Sequence, residues 1–136
     1  MKHDRRDFLT LAGAAALAPL VGRWGTTPAT GTGGTMYGLI GKINAVAGQR
    51  DALAAILLEN TRPGAMPGCL SYVVATDAAD PDALWVTEVW DSAASHQASI
   101  TLPAVKAAIT KGRPLIAGFS NRVETTPIGG LGLKRE

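Results

Sequence analysis

Two β-rich runs separated by a short acidic turn constrain this chain more than any other stretch. Cys69 to Thr76 and Leu84 to Trp90 hold Tyr72, Val73, Val74, Trp85, Val86 and Val89. Their branched and aromatic side chains suit a pleated surface. Between the runs, Asp77-Ala-Ala-Asp80-Pro81-Asp82 combines Asx side chains with proline, which favours chain reversal. The pair therefore reads as an antiparallel hairpin. Directly after Trp90, Asp91-Ser92 turns the chain into a helix, with Ser92 as the capping residue and His96 one turn in.

The flanking sequence supplies the other elements. Met36 to Val46 alternates, with Tyr37, Leu39, Gly41 and Ile43 on one face and Ile40, Lys42 and Asn44 on the other. Gly48 closes that strand. Gln49 to about Arg62 follows as a helix, its Leu53, Ile56, Leu57 and Asn60 forming one stripe and Arg50, Asp51 and Glu59 the solvent side. Pro63-Gly64 and Pro67-Gly68 end it. A second helical piece after His96 starts at Pro103, a favoured first helical residue, and runs to Lys111 before Gly112 and Pro114. Ile116 to Thr125 is the last strand, and a Gly-rich tail closes the chain. The order β-α-β-β-α-β is ferredoxin-like, an α+β fold. A four-stranded sheet with helices on one face leaves the other bare, and a bare apolar face predicts pairing with a second copy as a homodimer.

The first 35 residues stand apart from this pattern. Lys2, Arg5 and Arg6 form a basic start and Leu9 to Val21 is apolar. The order Arg5-Arg6-Asp7-Phe8-Leu9 is similar to a twin-arginine export signal, while an ordinary secretory signal containing two arginines is the other reading. The apolar run is shorter than the ~20 residues that span a bilayer. A Gly/Thr/Pro-rich stretch from Gly25 to Thr35 has linker composition. The domain organisation that follows is a signal and linker over 1–35 and one domain over 36–133. Its expected location is the periplasm or outside the cell, with the twin-arginine export machinery as a partner.

Several functions are excluded by what the chain lacks. A net charge of +2, spread over 136 residues without basic clusters or interleaved aromatics, argues against nucleic acid. No Gly-x-Gly-x-x-Gly follows a strand, so a dinucleotide site is not expected. The domain holds one cysteine and one histidine, far apart, which argues against a protein-built metal site. Cys69, being alone, forms no intramolecular disulfide and is read as packing.

Chemistry is therefore sought around the third strand. Val86, Glu88 and Trp90 share one face of it and Trp85, Thr87 and Val89 the other. His96 and Ile100 share a stripe of the next helix, and apolar Ile100 turns that stripe towards the sheet. An imidazole there can exchange a proton near neutral pH. On spacing alone, a packed histidine bonded to a backbone carbonyl is favoured over a catalytic one. Trp90 at a strand end reads as packing by itself. Glu88 is either a buried carboxylate of raised pKa or a partner for Arg122, and the salt bridge is the preferred reading. Tyr72 and Asn44 are candidate polar groups for the same cavity.

Taken together, several of these stretches resemble the antibiotic biosynthesis monooxygenase (ABM) family. Glu88-Val-Trp90-Asp-Ser92 with His96 matches that family's most characteristic stretch, Glu-x-Trp-x-Ser-x-x-x-His. Pro67-Gly68-Cys69-Leu70-Ser71-Tyr72 resembles its Gly-Cys-x-x-Tyr strand, and Gly48-Gln49-Arg50 its entry to the first helix. The resemblance runs from Met36 to about Leu133. It implies a dimeric α+β barrel and oxidation of a phenolic or quinol-type aromatic by molecular oxygen, without metal or flavin. His96 and Trp90 would be the catalytic residues, with Tyr72, Asn44, Glu88 and Ile100 against the substrate. Two positions depart from the pattern. Ser99 stands where many relatives carry a second histidine and Ala104 where some carry a later one, which leaves His96 as the one imidazole for proton transfer. The alternative is a non-catalytic dimeric barrel that binds an apolar small molecule in a stress response.

Overall fold

The computed structural model describes residues 34–134. The signal reading falls on residues outside this range. β1 (Tyr37–Ala45), β2 (Cys69–Thr76), β3 (Ala83–Trp90) and β4 (Ile116–Thr125) form one antiparallel sheet in the order β2-β3-β1-β4. The helices are α1 (Arg50–Leu58), α2 (Ala93–Ser99) and α3 (Pro103–Gly112). A single 3₁₀ turn, Arg113–Leu115, joins α3 to β4. This is the ferredoxin-like order and sheet expected from the sequence. Among the described residues, no helix is long and apolar enough to cross a membrane.

The hairpin is pinned by its turn. Asp77 accepts hydrogen bonds from the backbone N–H groups of Ala79 and Asp80 and from Trp85 Nε1 at 2.7 Å. Lys42 Nζ lies 3.1 Å from the same carboxylate. Led by those backbone donors and the Trp85 indole, these contacts hold the Asp77 carboxyl well below the usual carboxylate range. Asp82 Oδ1 accepts from Gly48 N at 3.0 Å, tying the hairpin to the β1–α1 turn. Gly48 has φ +77°, which glycine adopts without a Cβ penalty.

Helix α1 stops at Leu58, short of Arg62. Glu59 N and Thr61 N reach back only three residues, to Ile56 O and Leu58 O, and the Thr61 hydroxyl also donates to Leu58 O. Those tight bonds close the last turn before the Pro63-Gly64 break. Asn60 still serves the stripe it was assigned to, because its Nδ2 donates to Ala104 O of α3 at 3.2 Å.

Between sheet and helices the apolar residues fall into two zones. Ile43, Ala45, Leu53, Leu84 and Val86 form the buried core, with Leu57, Tyr72, Val74 and Phe119 packed around it. Beyond it, towards the Trp90 end of β3, packing is incomplete and a cavity remains. On the other side of the sheet, Ile40, Lys42, Asn44, Trp85, Thr87 and Val89 are only partly covered, and Val73 and Val123 are half exposed. β4 alternates irregularly: Asn121 has φ +52° and the β1–β4 register shifts between Ile40 and Lys42. That bulge sends Arg122 and Glu124 to the helix side of the sheet, next to Tyr37 of β1.

Candidate functional site

The cavity is bounded by β3, β2 and all three helices. Its walls are mostly apolar: Leu53, Ile56 and Leu57 of α1, Val105, Ala108 and Ile109 of α3, with Met66 and Ile100 at the margins. Its polar groups are few: Asn60, Tyr72, Glu88, His96 and Ser99, beside the indole of Trp90. The space is about 90 Å³. A dry cavity of about 150 Å³ admits benzene, so a substituted ring requires the wall to give. Asn60, Met66 and Tyr72 also line an outer cleft formed with the loop from Thr61 to Gly68. Those three side chains are the partition between cavity and cleft.

Backbone geometry explains why His96 points inward. Ser92 Oγ accepts from Ser95 N at 3.1 Å, so α2 begins immediately after Asp91. Asp91 N donates to Gly68 O at 2.9 Å, docking this junction on the entry to β2. A Cβ on Gly68 would lie 2.5 Å from Ser95 Cβ, and its φ is +83°. Glycine is therefore required for α2 to sit this close. One turn in, His96 is buried at 3% exposure, its ring 5.0 Å from that of Tyr37 and edge-on to Trp90 at 5.4 Å. No hydrogen bond to a backbone carbonyl holds the His96 ring among the described residues, contrary to the packed-histidine expectation. Ser99 is spent locally: its hydroxyl donates to His96 O at 2.6 Å.

Glu88 is the buried carboxylate rather than the salt-bridge partner. Its Oε2 accepts from Trp90 Nε1 at 2.8 Å and lies 3.6 Å from His96 Nε2. Arg122 pairs instead with Glu124, Nη2 to Oε1 at 2.8 Å, two residues along the same strand. The bulge at Asn121 brings both residues to Glu88's side of the sheet, but Arg122 pairs with its strand neighbour, and Glu88 has no cation at ion-pair distance among the described residues. Burial raises the Glu88 carboxyl from 4.5 to about 7, against smaller lowering effects of the Trp90 hydrogen bond and of Arg122. Burial lowers the His96 imidazole below 6.5, and Arg122 adds to it while Glu124 opposes it. Burial also pushes Tyr72 far above its usual range and Cys69 up to about 11. Tyr37, which donates to Glu124 at 3.0 Å, is raised to about 12, again chiefly by burial.

Of the candidates read from the sequence, Trp90, His96, Glu88, Tyr72 and Ile100 meet at this cavity. Asn44 does not. It lies on the opposite face of β1 with its Nδ2 donating to Ser120 Oγ at 3.2 Å, because strand parity groups it with Lys42 rather than Ile43. Tyr37, which the sequence marks only as a strand residue, packs on the His96 ring because the register sets it opposite Trp90.

Comparison with known proteins agrees with this geometry. The family model described as antibiotic biosynthesis monooxygenase matches residues 36–111. A crystal structure of a protein from Chloroflexus aurantiacus J-10-fl, titled "putative Antibiotic biosynthesis monooxygenase", is 61% identical, with a TM-score of 0.70 over 74% of this chain and 100% of its own. This chain belongs to the ABM family. More distant structures share the fold. One from Pseudomonas aeruginosa is 22% identical over 70% of this chain and 96% of its own, with a TM-score of 0.61. One from Mycobacterium tuberculosis is 20% identical over 71% and 99%, with a TM-score of 0.60. Comparison with curated proteins gives no match. The ABM model covers β1 through most of α3, and thus every element that walls the cavity.

Proposed function

We propose that this ABM-family protein is a cofactor-independent monooxygenase that oxidises a small phenolic or quinol-type aromatic with molecular oxygen. The observation that carries the reading is the cavity itself: an apolar enclosure at the family's signature stretch, with Trp90, Glu88 and His96 gathered on one wall. Walls of this chemistry suit an aromatic ring once they give to admit it, and few polar groups suffice to orient its hydroxyl. The substrate supplies the electrons. A phenol and one molecule of oxygen give a quinone and water, so one oxygen atom ends on the ring and the other in water. Trp90 packs the ring, while His96 and Tyr72 face its hydroxyl.

Homodimer formation, export by the twin-arginine machinery and a periplasmic or extracellular location belong to the same proposal. Exposed Val73 and Val123 on the bare sheet face support the dimer. The Arg5-Arg6-Asp7-Phe8-Leu9 stretch supports export. Replacing both arginines by lysine in the full chain should leave the protein in the cytoplasm on fractionation; unchanged export would defeat the twin-arginine assignment.

One observation favours the alternative of a non-catalytic binder of apolar small molecules. Ser99 stands where many relatives carry a second histidine, and its hydroxyl is committed to the α2 backbone. Oxygen uptake with a panel of quinols separates the two readings. Turnover supports the enzyme, and tight binding without turnover supports the binder.

A further inference from the structure

The cavity holds two groups able to take a proton, and the geometry distinguishes them. Glu88 reaches it from β3 with one oxygen fixed by the Trp90 indole at 2.8 Å. Glu88 is 8% exposed, and its carboxylate faces His96 Nε2 across 3.6 Å, beyond hydrogen-bond length. His96 lies against the Tyr37 and Trp90 rings and is 3% exposed, and that burial disfavours an imidazolium. We propose that Glu88 is the proton acceptor of this cavity, and that His96 remains a neutral imidazole beside it and positions the substrate's hydroxyl. This assignment rests on the monooxygenase reading. In the step, the substrate O–H bond breaks, the electron pair stays on the substrate oxygen, and the proton forms an O–H bond on Glu88. The resulting phenolate is the electron-rich species that oxygen oxidises.

The surroundings agree with that division. From β2, Tyr72 and Cys69 face Glu88, and burial keeps both protonated at neutral pH. From β1 and β4 come Tyr37, Glu124 and Arg122, the last two paired with each other. The residues that α1 and α3 contribute to the lining include no titratable group. Burial raises Glu88 to about 7 and lowers His96 below its usual value. Glu88 is thus the group poised to exchange a proton around neutrality, while burial favours the uncharged form of His96.

Two measurements on the full chain test this. In the first, carbon-13 NMR of the Glu88 carboxyl and nitrogen-15 NMR of His96 are followed from pH 5 to 9. Glu88 should titrate near 7 with His96 uncharged at that pH. A Glu88 already ionised at pH 5, with His96 becoming imidazolium near 7, would overturn the assignment. In the second, oxidation of 1,4-dihydroxynaphthalene is followed against pH. The wild-type kcat/KM should fall tenfold per unit below pH 7. Glu88→Gln should lose at least a hundredfold. His96→Gln should raise KM about tenfold and keep the same acid limb. If Glu88→Gln works within threefold of wild type, or His96→Gln abolishes the acid limb, the assignment fails. No oxidation by the wild type would defeat the monooxygenase reading instead, and the NMR titration would still decide which group holds the proton.

Discussion

At the level of single residues, Trp90 and Glu88 behave as a unit. The indole N–H is the hydrogen-bond donor that steadies the buried carboxylate. Trp90→Phe keeps most of the packing but leaves Glu88 Oε2 without that donor. It should cost about 1–3 kcal/mol in urea unfolding and move the Glu88 titration upward, since the lost hydrogen bond favoured the ionised form. Glu88 also predicts a pH dependence of stability. Its folded pKa, about 7, exceeds the unfolded value of 4.5, so the folded state holds the extra proton between those limits. That contribution is complete below pH 4.5 and is lost as pH rises through 7. His96 acts oppositely, because its lowered pKa costs stability as pH falls below 6.5. Glu88→Gln removes the first effect and leaves the second. Its stability relative to wild type should therefore grow by about 3 kcal/mol between pH 4.5 and 8, measured by urea melts at each pH. A constant difference between the two proteins would contradict the burial assigned to Glu88.

Elements were more legible in the sequence than the pairings between them. The second strand and the last emerged with their observed ends, because β-rich composition bounded by Gly, Asp and Pro marks strands locally. Periodicity alone carries the first helix past its end at Leu58. Asn60 continued the apolar stripe, while the tight turn at Leu58–Thr61 depends on backbone bonds that periodicity does not register. The misreading of Glu88 has a similar origin. Charge alone suggests a salt bridge to Arg122, but Glu124, two residues along the same strand face, takes Arg122 first. Asn44 was a different case, since parity with Lys42 already pointed it away from Ile43 and the core. The junction that aims His96 should be sensitive at Gly68. Gly68→Ala adds a Cβ at 2.5 Å from Ser95 and a positive φ for a non-glycine residue, and should cost more than about 1 kcal/mol. Ser92→Ala, which removes only the helix cap, should cost about 1 kcal/mol. Thermal melts of the two variants would show whether close docking matters more than capping.

Across the whole molecule, the fold divides into a packed core and a cavity, with the bare sheet face on the other side. The hairpin turn and the β1–α1 turn are tied through Asp77, Asp82 and Lys42, remote from the cavity. Substitutions there should change stability more than turnover. If the bare face joins two copies, Val73→Asp together with Val123→Asp places charge on exposed apolar positions of that face. Sedimentation should then shift from a dimer to a monomer, and an unchanged dimer would put the interface elsewhere. Access to the cavity is a matter of the wall shared with the outer cleft. Met66→Ala opens that wall and should lower KM for bulkier aromatics with little change for small ones.

On the proposed function, the enclosure around Trp90, Glu88 and His96 oxidises an aromatic hydroxyl compound with oxygen alone. Oxygen uptake by the metal-free, flavin-free protein, with quinols as the only reductant, tests it most directly. Saturable uptake with one oxygen consumed per quinol oxidised, lost in Glu88→Gln, is the predicted result. No uptake above the protein-free rate with any quinol that binds the cavity would contradict it.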